Sequence, residues 1–169
     1  MNDVLKIEGE KASRNQTILF FVDENDAAET YEAIGVDNDD LTRTFNNETE
    51  SKTNVLGQVS TNVTRGANVT SVDPCYYRKE GKLAKELKDI YWYDKELSQV
   101  EKTFMEVDAT EDPVDGSYPA FKQKAAIDLK SWGGDTKGIG TPYDLNWLGV
   151  KTYGTFNPTS KKFTETVQV

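Results

Sequence analysis

A chain of 169 residues and 19.0 kDa is long enough to bury one real core and reads as a single domain. With 36% hydrophobic and 29% charged residues it is polar for a globular protein, and a net charge of −9 argues against a basic nucleic-acid groove. Its one cysteine, Cys75, excludes an internal disulfide, and the lack of histidine removes His-based triads, the imidazole base and the commonest metal ligand.

Residues 1–15 read as a polar N-terminal arm with Val4, Leu5 and Ile7 as anchors, ahead of one domain over 16–169. Residues 1–6 have neither the basic nor the apolar region of a secretory leader, so a soluble protein made in a cytoplasm is expected. Ile18-Leu19-Phe20-Phe21-Val22 is apolar without alternation, as in a strand covered on both faces, and is far too short to span a bilayer. An acidic turn follows, then strands over 30–36 and from Leu41 to Asn46, separated by Asp37-Asn38-Asp39-Asp40. Between Asp23 and Glu50 ten carboxylates meet one base, Arg43, while the other 19 acids are matched by 19 bases, so the whole negative excess is local.

Residues 47–58 carry little apolar content and no period, which predicts an exposed, mobile loop. Thr- and Val-rich strands follow over 59–64 and 68–72, stopped by Asp73-Pro74. From Lys79 to Trp92 the apolar residues recur at helical spacing for the only time in the chain. Leu83, Ala84, Leu87, Ile90 and Tyr91 gather on one side, with Lys82, Lys85, Glu86, Lys88 and Asp89 on the other. This single helix is expected to lie across a β structure and close its core. A strand over 103–108 and a loop over 111–117 come next. From Phe121 to Ser131 one face carries Phe, Gln, Ala, Ile, Leu and Ser, the other Lys, Lys, Ala, Asp and Lys. Tyr143, Leu145 and Trp147 alternate in a returning strand, and two more strands are expected over 150–156 and 162–167.

Chemistry is sparse. Cys75 reads as a small core residue, and Gly133-Gly134-Asp135-Thr136-Lys137-Gly138-Ile139-Gly140 lacks the phosphate-loop spacing. Asp37, Asp39, Asp40 and Glu48 resemble a calcium loop only in outline, because Thr42 stands where the turn needs glycine and Leu41 replaces a ligand. The four Asn-X-Thr sequons would matter only in a secreted chain, and the crowded carboxylates have no sugar-stacking aromatics beside them. No enzyme activity, cofactor or metal is expected.

Several stretches, in order, resemble the major tail (tail tube) proteins of long-tailed bacteriophages of Gram-positive bacteria. They are the strand over 30–36 and the polar stretch Glu48-Thr49-Glu50-Ser51-Lys52-Thr53-Asn54-Val55-Leu56-Gly57. Next is Val69-Thr70-Ser71-Val72-Asp73-Pro74 running into the helix. Last come Tyr118-Pro119-Ala120-Phe121 through Ile127, Gly133-Gly134-Asp135, and Trp147-Leu148-Gly149-Val150-Lys151-Thr152-Tyr153-Gly154-Thr155-Phe156. The resemblance covers most of residues 30–156; the acidic 23–40 segment has no place in it, and an appended C-terminal immunoglobulin-like domain is not expected. It implies a mainly β, two-sheet antiparallel sandwich with one flanking helix, assembled as stacked hexameric rings whose inner wall is a continuous barrel. The implied setting is the virion, synthesised in the bacterial cytoplasm. The implied partners are other copies of itself, the tape measure, tail terminator and distal tail proteins, and DNA that passes without specific binding; no membrane is involved.

On this reading Glu48, Glu50, Lys52, Val55, Leu56 and Gly57 form an assembly loop, and Leu83, Leu87, Ile90 and Tyr91 pack the helix. Glu32, Asp37, Asp39 and Asp40 are candidates for an acidic lumen or ring junction. The competing class is a free-standing carbohydrate- or protein-binding β-sandwich. It needs exposed aromatics, and the densest cluster is Tyr91, Trp92 and Tyr93, of which the helical phase commits Tyr91 to the core.

Overall fold

The computed structural model describes residues 10–167, so the expected arm anchors Val4, Leu5 and Ile7 lie outside the described residues. Residues 10–13 have no regular structure, and a 3-10 turn at Arg14–Gln16 leads into β1 (Thr17–Asp23). Leu19 and Phe21 of β1 point into one core and Val22 into another, as its unbroken apolar run implies. β2 (Thr30–Ala33) is shorter than expected because Gly35 turns the chain at φ +100°. β3 is only Arg43–Phe45.

Residues 47–58 are not a structureless loop. They supply β4 (Glu48–Thr53), which pairs with β5 (Val59–Thr64) in a two-stranded hairpin, followed by β6 (Asn68–Val72). Low apolar content hid this pairing, because its hydrogen bonds are local and both faces are wet. The Asn54 side-chain oxygen accepts from the Leu56 and Gln58 N–H groups at 2.9 and 3.0 Å, and Gly57 takes φ +76°.

After α1 (Lys82–Trp92) come β7 (Glu101–Asp108), β8 (Tyr118–Leu129), a small hairpin of β9 (Gly133–Asp135) and β10 (Gly138–Gly140), β11 (Tyr143–Asn157) and β12 (Lys162–Glu165). The two strands expected over 143–147 and 150–156 are one. β11 stays paired with β8 across a bulge between Leu148 and Thr152, eased by Gly149 at φ +64°.

The chain is mainly β, an antiparallel sheet in the order β2-β1-β7-β8-β11-β6-β3, with β12 on the outer half of β11. In a flat sheet β11 would lie roughly 14 Å from β1 and 19 Å from β2, at about 4.8 Å per step. Yet the Phe156 ring sits 5.7 Å from Phe20 and 5.0 Å from Tyr31. The sheet therefore curls until its β11–β12 corner covers β1 and β2, burying Val22, Met105, Val107, Ala120 and Phe156. Its other face packs Leu19, Phe21, Phe104, Ala125, Ile127, Leu145 and Trp147 beneath α1.

α1 buries Leu83, Ala84, Leu87 and Ile90, as its periodicity implies. Its N-cap, Gly81, has no side chain to offer, and the Glu32 carboxylate of β2 accepts the Lys82 N–H at 2.7 Å instead. Tyr91 does not join the core: it is 48% exposed and stacks on Trp132 at 4.9 Å, 3° from parallel. Its helical phase falls beside Ala84, at the edge of the stripe and in the last turn, where a neighbouring aromatic lies closer than the sheet.

Candidate assembly surface

The β4–β5 hairpin leaves the sheet between β3 and β6 and forms a two-stranded sheet of its own. All twelve of its strand residues are exposed. At its tip Val55 and Leu56 are 102% and 78% exposed, and Val59 and Val63 add apolar surface behind them. Glu50 pairs with Lys52 at 3.2 Å along the same strand, while Glu48 lies free of any cation among the described residues. The root is held tightly. The Asn46 side chain donates to the Ala67 carbonyl at 2.7 Å, and Gly66 lies so close to Asn46 that a Cβ there would sit 1.4 Å from its carbonyl oxygen. A bare two-stranded ribbon is at best marginal in water, and this one buries none of its strand residues against the domain.

Counted along the chain, the acids of 23–50 outnumber bases ten to one; in space, distant cations reach them. Lys82 bridges Asp23 and Asp26 at 3.2 and 3.1 Å, Lys122 pairs with Glu29, and Arg78 meets Asp37 at 2.6 Å. Of the four lumen or junction candidates, Glu32 caps α1 and Asp37 holds Arg78. Asp40 accepts the Thr42 hydroxyl, and Asp39 and Asp40 have no cation among the described residues. Burial raises the Glu29 carboxyl, but hydrogen bonds from Lys122 and Tyr31 and the Lys122 charge leave it below its usual range.

Sequence reasoning counted Arg43 only as the one base of the acidic stretch and gave it no structural role. Its side chain is only 12% exposed, lies 3.7 Å over the Trp147 ring, donates to Gln123 at 3.0 Å and pairs with Glu106 at 3.4 Å. Burial lowers its pKa, and the Glu106 charge opposes that. A lone arginine in an acidic stretch was the available signal.

A second exposed feature gathers at the C-terminal end of α1. Trp92 and Tyr93 are 65% and 68% exposed beside the Tyr91–Trp132 stack, with Tyr77 5.6 Å from Trp132. Trp132 and Tyr77 come from outside the helix, so no local window of sequence joins them to it.

Among the described residues no three His, Cys, Asp or Glu side chains gather as a metal site, and Asp37, Asp39, Asp40 and Glu48 form no ligand cage. No helix there is long and apolar enough to cross a membrane. Cys75 is partly buried against the main core and accepts the Thr141 hydroxyl at 3.5 Å. No protein-family model matches the chain, and no curated protein matches it either.

Proposed function

We propose that this chain is a structural subunit of a bacteriophage tail tube, assembling as hexameric rings that stack through the β4–β5 hairpin. The observation that carries the reading is that hairpin: seventeen consecutive residues, Glu48 to Thr64, ordered away from the domain's own core, with Val55 and Leu56 at the tip. A neighbouring copy would supply the burial it lacks. Edges at β2, β3 and β12, unpaired among the described residues, offer further strands for lateral pairing. The tape measure, tail terminator and distal tail proteins would meet the ends of such a tube, and the unpaired acids would keep DNA from adhering.

The test replaces residues 48–64 with a short Gly-Ser linker. The variant should remain a folded monomer of near-normal stability and form no rings or tubes in negative stain, where the wild type forms both. A wild type that stays monomeric at every concentration, or a linker variant that still polymerises, would overturn the proposal.

One observation favours a second reading, a free-standing binding module: Tyr91, Trp92 and Tyr93 make an exposed aromatic patch, beside the half-buried Trp132, of the kind that stacks on sugars. A module of this sort stays monomeric, and Trp92→Ala would remove its oligosaccharide binding.

A further inference from the structure

We propose that the apolar tip of the β4–β5 hairpin docks in a cavity beneath the N-terminal half of α1 in a second copy of this chain. This contact rests on the assembly reading above and gives the hairpin its receptor. A cavity of about 280 Å³ opens between the chain after β2 and the helix, walled by Ile34, Val72, Leu83, Ala84 and Leu87. Val36 also lines it and is 75% exposed, which sets that residue at the mouth and leaves the space open to solvent. A cavity of roughly 150 Å³ with apolar walls takes up benzene, so this one has room for the side chains of both Val55 and Leu56. Those two stand in water at the tip and need such walls.

The chain's own tip does not fill the space. β4 and β5 prolong the β3–β6 ladder beyond Phe45 and Asn68, whereas the cavity touches β6 at its other end, Val72. Six residues of strand carry the tip about 20 Å further out. Every strand residue of the hairpin is exposed, so it does not fold back on its own domain. With tip and receptor at opposite ends of β6, the contact between copies is head-to-tail, the kind that adds subunits along a stack without closing on itself. Charge agrees with the fit. At the mouth Glu32 accepts the Lys82 N–H and Asp37 holds Arg78, which leaves Glu80 without a cation among the described residues. Lys52, three residues before Val55, is the one cation of residues 48–64. A seated tip brings Lys52 to the Glu80 side of the mouth.

The test measures the critical concentration for polymerisation of the full chain by pelleting. Leu56→Asp at the tip, Val36→Glu at the mouth and Ala84→Leu within the cavity should each raise it at least about tenfold, the worth of one buried aliphatic side chain. Val36 is exposed, so Val36→Glu should melt at the wild-type temperature and its loss of assembly is not a loss of folding. Leu56→Asp combined with Val36→Glu should cost little more than either alone, because both break one contact. Lys52→Glu should weaken assembly, and Glu80→Lys in the same chain should restore it. Tubes that form normally from Val36→Glu and Ala84→Leu while Leu56→Asp makes none would give the cavity to another occupant, overturning the proposal and leaving the assembly reading intact. Additive losses in the double variant, or no rescue by Glu80→Lys, would also overturn it. A wild type that never polymerises would remove this contact and the assembly reading together.

Discussion

Replacing Leu87 with alanine tests both the packing of α1 and the cavity beside it. Leu87 is 1% exposed and belongs to the main core, yet it also forms a wall of the 280 Å³ cavity. Leucine-to-alanine changes in cores cost about 3–5 kcal/mol, the upper part of that range coming from newly opened void at roughly 24 cal/mol per Å³. At Leu87 the deleted carbons widen a space that already exists, so the loss is expected at about 2–3 kcal/mol. Leu145 is the internal standard: wholly buried in β11 between Ile127 and Thr70 of the flanking strands, it leaves a fresh hole and should cost about 4–5 kcal/mol. At about 2–4 °C per kcal/mol for a chain this long, melting temperatures should fall by about 5–10 °C and 10–20 °C respectively. Urea unfolding followed by tryptophan fluorescence, with Trp147 in the core as reporter, measures both, provided the denaturant slope is unchanged. Leu87→Asp should leave no folded protein, and Lys88→Ala should be close to neutral. A Leu87→Ala variant that is unaltered in stability, or costs more than Leu145→Ala, would refute the reasoning.

Burial raises the Asp23 carboxyl, but its hydrogen bonds from Asn25 and Lys82 and the Lys82 charge more than offset this and hold it below its ordinary value. A depressed carboxylate stabilises the fold above its unfolded value of about 3.9 and ceases to as pH falls through the folded one. Asp23→Asn should therefore be less stable than wild type at pH 7, with the gap closing below about pH 4; a gap undiminished at pH 2 in urea titrations would count against the pairing. Gly66→Ala would force a Cβ to 1.4 Å from the Asn46 carbonyl oxygen, so it should open the hairpin root. The global melting temperature should hardly move while tryptic cleavage after Lys52 accelerates; unchanged cleavage would show that the root does not hold the hairpin. That same bond should be cut quickly in isolated subunits and protected in tubes. Salt should promote assembly by screening Asp39, Asp40 and Glu48, which have no cation among the described residues, as light scattering would record, and polymerisation that slows or is indifferent would place these acids elsewhere.

The strands around the core were legible wherever one face of a strand is dry and the other wet: β8 and the first half of β11 alternate visibly, and Leu83, Leu87 and Ile90 mark the buried side of α1. The errors have a common cause. Periodicity states which way a side chain points, not what stands opposite, so Tyr91 points near the stripe yet meets Trp132. The hairpin was invisible because its order depends on Asn54 and backbone pairing instead of burial. Charge counting along the chain could not foresee that Lys82, Arg78 and Lys122 fold back onto the acidic stretch. The cavity under α1 had no signal at all, since it exists only once β2, β6, α1 and β11 have met.

The strand order carries a consequence for synthesis. β1 leaves the ribosome early, but its inner neighbour β7 begins only at Glu101, and β6 waits for β11, which begins at Tyr143. Until β7 is made the only sheet pairs available among the described residues are β1 with β2, β3 with β6, and β4 with β5, none of which covers Leu19, Phe21 or Val22. β11 joins β8, β6 and β12 at once, and its Phe156 is what reaches back over Phe20 and Tyr31. Closure of the sheet is thus withheld until the final quarter of the chain is made, and pairing this non-local places the domain among slow folders. The nascent polypeptide keeps a sticky apolar strand without its inner neighbour until β7 is made and without its closing corner until β11 is, so that strand stays open to neighbouring copies for much of synthesis.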